Sequence, residues 1–160
     1  MASIDADGMV QNVKASIEKY IANQLVMEEE LTIAWEGMQF EPEHMAEWVR
    51  ERILAFADRD YHRQVSDTEE GQTTMVMLSF NIFVNPEKAD KTNRHYEIRD
   101  KIAEHFHINK TISLYDFSSD DFTDALQTMK VREIITDQPI PNDEWMQFDY
   151  TVGISWLEKW

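Results

Sequence analysis

The sequence predicts an α+β fold: a mostly antiparallel mixed sheet with two main helices packed on it and a long β-hairpin. Three observations carry this expectation. An apolar stripe at helical spacing opens the chain and a second one follows residue 90. Two long segments, residues 73–84 and 146–156, alternate with a period of two. The order that results is helix, two or three strands, helix, three strands, and strands that come in runs indicate an antiparallel-rich sheet with helices laid on it.

In the first segment Val10, Val13, Ile17, Tyr20, Ile21 and Leu25 recur at steps of three and four, predicting one helix over residues 8–29. Asp5 and Asp7 are placed to cap its start. Glu28-Glu29-Glu30 puts like charge at its C-terminus, where the macrodipole disfavours it, so the helix is expected to fray or stop there. "LTIAW" then reads as a short strand running into the turn "EGMQFEPE".

Residues 48–57, "WVRERILAFA", form the next strand, with Trp48, Arg50, Arg52, Leu54 and Phe56 on one side. The polar run 58–72 separates it from the strand 73–84 and predicts a hairpin with an overlong, mobile tip. In that second strand Val76, Leu78, Phe80, Ile82 and Val84 make a wholly apolar face, opposed by Met75, Met77, Ser79, Asn81 and Phe83. A sheet that is apolar on one face and half-apolar on the other needs a second cover, from helices or from a neighbouring subunit.

Asn85-Pro86 opens the second helical region, where Ile98, Ile102 and Phe106 fall at i, i+4 and i+8. Residues 112–117 and 131–135 read as strands flanking "SSDDFTDALQ", a loop with one helical turn, and "DQPIPND" is expected to break the chain before the last strand. There Met146, Phe148, Tyr150, Val152, Ile154 and Trp156 share one face.

With 160 residues and uniform composition, the chain is read as a single domain over 1–160. Hydrophobic residues make up 42%, which excludes a disordered acidic chain despite 31 carboxylates against 15 Lys and Arg and a net charge of −16. Such charge opposes adhesion to nucleic acid and to anionic lipid. The absence of cysteine excludes disulfides and thiolate metal sites. No leader pattern and no long apolar run is present, so the expectation is a protein without membrane contact that stays where it is made.

Catalytic signatures are missing: there is no G-x-S-x-G and no phosphate-binding glycine loop, and only four glycines occur in all. An enzyme and a cofactor are therefore not expected. His105 and His107 lie at i, i+2 on a helix and point apart, so a solvated helix end is expected rather than a metal site. His44, His62 and His95 are dispersed and read as surface residues. "DFSSDDFTD", residues 116–124, gathers carboxylates and hydroxyls but lacks the glycine and terminal glutamate of a calcium loop, so it reads as a capped turn.

The run "IAWEGMQFEPE", then "WVRERIL", "GQTTMVMLSFNIFV", "IRDKIAEHF" and a final "YTVGISW", resembles the tail terminator (tail completion) proteins of long-tailed bacteriophages. The likeness spans nearly the whole chain in order, and its specific part is Ile33, Ala34, Trp35, Glu36, Phe40, Pro42 and Trp48. Residues 58–72 and 118–130 depart from the family pattern. The resemblance implies a structural virion protein, assembled in the host cytoplasm and located at the head-proximal end of the tail. It would form a hexameric ring, a homo-oligomer that caps the tail tube protein, stops elongation and meets the head-tail connector protein.

In such a ring DNA would pass through the bore without specific binding, which an acidic lining would favour. Closure by rotation uses two different patches per protomer. The candidate contacts are Met38, Phe40 and Pro42 in the turn, Tyr61, His62 and Arg63 in the hairpin tip, and Met75, Met77 and Phe83 on the second sheet face. The alternative is an acidic binding or inhibitor module of the DNA-mimic type, which fits the charge but does not require a half-apolar second face.

Overall fold

The structure is a computed structural model that describes residues 5–58, 63–64, 70–118 and 123–159. After a 3₁₀ turn at Ala6–Gly8, helix α1 spans Val10–Ile21 and continues as a π-helical segment, Ala22–Glu28. Strands β1 (Ile33–Ala34), β2 (Glu47–Asp58), β3 (Arg63–Gln64) and β4 (Glu70–Val84) precede helix α2 (Arg94–His105). Strands β5 (Thr111–Tyr115), β6 (Ala125–Ile140) and β7 (Met146–Lys159) follow it. The α+β class and the placing of two helices on one mixed sheet are as the sequence predicts.

The sheet runs β1-β2-β4-β7-β6-β5, with β3 paired to the start of β4. Among the described residues only the β1–β2 pair is parallel. β4 and β7 form its centre, in register over their full lengths, so Val76, Leu78, Phe80 and Ile82 lie opposite Ile154, Val152, Tyr150 and Phe148. This face holds the core. From α1, Val13, Ile17 and Ile21 pack into it, as does Leu25 from the π-helical segment; α2 contributes Ile98 and Ile102, and Phe106 follows at its C-cap. Each of these is essentially without exposed surface, and stripes of this width are what bind a marginal helix to a sheet.

Several boundaries differ from the sequence expectation, each for a local reason. Met9, not the expected Asp5 or Asp7, occupies the N-cap position of α1 and makes no side-chain bond there, and Asn12 Nδ2 donates to Ala6 O at 2.6 Å, tying the 3₁₀ turn to the helix. Val10, assigned to the buried stripe, is 49% exposed. The helical path does stop within the glutamate triplet, where Glu30 takes a left-handed φ of 57° and Leu31 N–H closes on Leu25 O.

β2 does not keep its five outward residues on one side. A bulge between Ile53 and Ala55 reverses the alternation, so Phe56 faces Val76 and meets Trp156 edge-on, on the face under the helices. β2 and β4 are also longer than predicted and take up both ends of the expected 58–72 loop, with Asp58 opposite Thr74 and Gln64 opposite Glu70. The remainder of that tip, including Tyr61 and His62, lies outside the described residues.

β6 is the largest departure. In place of a short strand followed by a break, it pairs with β7 through Pro139, opposite Phe148, to Ile140. Proline is tolerated there because β5 pairs β6 only as far as Lys130, leaving this end an edge whose outward amide has no ladder bond to lose. The break comes at Asn142 instead, whose Oδ1 accepts from Glu144 N–H and Trp145 N–H.

Candidate functional site

With the helices on one face, the surfaces left for contact are the second sheet face, its edges and the turn before β2. The second face is apolar at its ends and polar in its middle. Ser79, Asn81, Asp149 and Thr151 form a chain of hydrogen bonds there: Asn81 Nδ2 donates to Ser79 Oγ at 3.3 Å, and Thr151 Oγ1 donates to Asp149 Oδ1 at 3.0 Å.

At one end of this face stands an aromatic group built around Trp48. Phe83 stacks on Trp48 with centroids 4.3 Å apart and planes 14° from parallel. Phe40 leans against it at 4.9 Å, Trp145 meets both edge-on, and the Arg50 guanidinium lies 5.3 Å from the Trp48 ring centre. Offset and edge-to-face contacts of this kind stabilise beyond their buried area. Phe40 reaches the group because the chain turns twice, at Gly37 (φ 81°), where Met38 N–H bonds Trp35 O, and again where Met45 N–H bonds Pro42 O.

The candidate contact residues therefore part company. Phe40 and Phe83 pack within their own chain, Pro42 is half-buried, and Met38 is 67% exposed. Met75 has 1% of its surface exposed, because its thioether lies over the bare backbone of Gly153 on β7. Met77 is half-buried on the same face. Arg63 belongs to β3, while Tyr61 and His62 fall outside the described residues.

Sequence reasoning missed two polar pairs that the fold assembles. Glu51 faces inward from β2 with no exposed surface, and its carboxylate accepts from Glu36 N–H at 3.3 Å. Glu36 in turn accepts from Ile53 N–H, so the two side chains lash the end of β1 to β2 where the ladder stops. Burial pushes the Glu51 carboxyl up to about 7; the Glu36 amide opposes the shift, the Glu18 and Glu36 charges add to it and Lys14 opposes it. The other pair joins His105, which is 8% exposed rather than solvated, to Glu29 at 3.2 Å between Nε2 and Oε1. It pins the end of the π-helical segment to α2, with Glu104 adjacent and Lys101 Nζ 4.0 Å from the same Glu29 carboxylate. His107, by contrast, is exposed, and His95 is buried with its pKa lowered by desolvation.

A cleft of about 360 Å³ lies between the β2 start and α2, lined by Ala46, Glu47, Val84, Lys91, Arg94 and Glu97 among others. Its charges answer one another: Arg94 grips Glu47 at 2.8 and 3.1 Å and reaches Glu97, which also binds Lys91. No unpaired nucleophile and base converge in it. In "DFSSDDFTD", Asp116 Oδ1 accepts from Ser118 N–H and Oγ–H, a capped turn that also holds the Asp116 carboxyl below its ordinary range.

No family model and no curated protein matches the chain. Solved structures do match it; one, whose name states no function, superposes with a TM-score of 0.61 at 15% identity, over 92% of this chain and 94% of the other. At that identity the likeness speaks for the fold alone.

Proposed function

We propose that the chain is a tail terminator: a structural virion protein that caps the phage tail tube as a ring, ends elongation and provides the surface that joins tail to head connector. The order of motifs from Ile33-Ala34-Trp35-Glu36 through Phe40, Pro42 and Trp48 supports the reading, and in the fold Ile33 and Ala34 pair with β2 while Phe40 packs on Trp48. The observation that carries it physically is the one-sided helix cover: both helices pack on a single face, and on the other face Met77 and Phe83 stay half-buried at positions a neighbour could reach, while Met75, Ser79, Thr151 and Ser155 are already buried. The net charge of −16 suits a bore through which DNA slides.

Tail tube protein polymerised in vitro with and without the chain tests the proposal. Tubes should stop growing when it is added, at a stoichiometry of one ring per tube. Unaltered tube lengths, together with inhibition of a DNA-binding enzyme by the monomer, would instead favour the DNA-mimic reading.

A further inference from the structure

We propose that His105, Glu29 and Glu104 form a three-ligand site for a zinc-like divalent transition-metal ion, set where the π-helical segment and α2 end side by side. The site does not depend on the function proposed above and is tested separately from it.

The ligands come from two helix ends. Glu29 is the C-cap of the π-helical segment, and His105 is the last residue of α2, with Glu104 just before it. Their donor atoms all lie within 4.8 Å of one another, and among the described residues no other three carboxylate or imidazole donors gather so closely. His105 and His107, at i and i+2, do not make a site between them. The fold supplies the missing donor from 76 residues away.

The spacing suits an ion. His105 Nε2 stands 3.2 Å from Glu29 Oε1, and two donors that each lie about 2.0–2.2 Å from one tetrahedral zinc ion are themselves about 3.3–3.5 Å apart. An ion therefore takes the place of the hydrogen bond with little movement, releasing any proton the pair shares. Glu104 is exposed and makes no ion pair among the described residues, so its carboxylate is free to close on the ion as the third ligand. Lys101 approaches Glu29 only at 4.0 Å, and on Oε2, leaving Oε1 to the imidazole.

The surroundings favour a cation and hold the imidazole ready for it. Glu28, Glu29 and Glu30 stand where the macrodipole disfavours negative charge, the last turn of the π-helical segment has no basic residue, and α2 brings a second C-terminal end with Glu104 to the same place. A divalent ion offsets the repulsion at both ends. His105 is buried, and its backbone oxygen accepts from Tyr20 Oη–H at 2.9 Å, which fixes the turn that carries the ring. The donor set selects the ion: calcium and magnesium take oxygen ligands, whereas one imidazole and two carboxylates without thiolate suit zinc and its neighbours, with water completing the coordination.

Zinc chloride titrated into the purified full chain tests the site, followed by calorimetry, by melting temperature and by the carbon-bound ring resonances of the five histidines. The expected result is one ion bound, a melting temperature raised by at least about 3 °C at a hundredfold excess over Kd, and a shift of the His105 ring while that of His107 stays. Magnesium chloride at the same concentration should do neither. Glu104→Gln removes an exposed ligand, so it should melt like the parent without zinc yet bind zinc about 10- to 100-fold more weakly. His105→Gln should lose the site, and His107→Gln should keep it. Absence of zinc binding overturns the proposal, as does binding that is unchanged in both Glu104→Gln and His105→Gln, which would mark an adventitious ion elsewhere on an acidic surface. Equal response to magnesium with an unmoved His105 ring overturns it too, by showing carboxylates acting alone.

Discussion

A carboxyl group with no exposed surface, such as that of Glu51, makes folding depend on pH in a direction opposite to most acidic residues. Its pKa is raised to about 7 in the fold from an ordinary 4.5, so between those values the folded state binds more protons than the unfolded one. The stability it contributes is complete below about 4.5 and is lost as pH rises through 7. Glu51→Gln should therefore gain on the wild type as pH climbs from 5 to 8, measured as the difference in melting temperature; parallel curves would contradict the assigned environment. Ile102, fully buried under the sheet, represents the opposite case. Ile102→Ala is expected to cost about 2–5 kcal/mol in denaturant unfolding, and a loss below 1 kcal/mol would place α2 off the core. Neither Glu51 nor His105 could be found from the sequence. A glutamate in a charged strand reads as solvated, and its partners Glu36 and Glu29 become neighbours only through strand pairing and helix packing.

At the scale of elements, legibility followed hydrophobic contrast. α1, β4 and β7 were plain in the sequence because each buries a regular stripe, and their periods survive in the structure. β6 was not, since its polar, proline-bearing second half has one bonded neighbour and little to bury. The bulge in β2 was equally illegible: an inserted residue leaves no mark in a pattern read two by two. The same logic separates the tip of the β2–β4 hairpin from the rest of the sheet. β3 touches only the beginning of β4, so deleting residues 62–70 should leave circular dichroism and melting temperature near those of the parent while impairing assembly. If tails built with the shortened chain remain full-length and infectious, the tip has no role in the ring.

For the whole molecule, charge is the dominant constraint on association. Copies that each carry a net charge of −16 repel one another, and salt screens that repulsion over about 8 Å at physiological strength. Self-association is therefore expected to strengthen between 50 and 500 mM NaCl, followed by sedimentation, whereas a DNA-binding oligomer would weaken. The candidate surface was half legible at this scale. A half-apolar second face was visible in residues 73–84, but the fold takes Phe40, Phe83 and Met75 into its own packing, and the exposed apolar residues are scattered, from Met27 and Met38 to Leu54, Phe117 and Ile135. Electron micrographs of the purified chain mixed with tail tubes address the central claim most directly. A ring seated at one end of each tube is the predicted result; bare tube ends at saturating protein, or decoration along the tube walls, would contradict it.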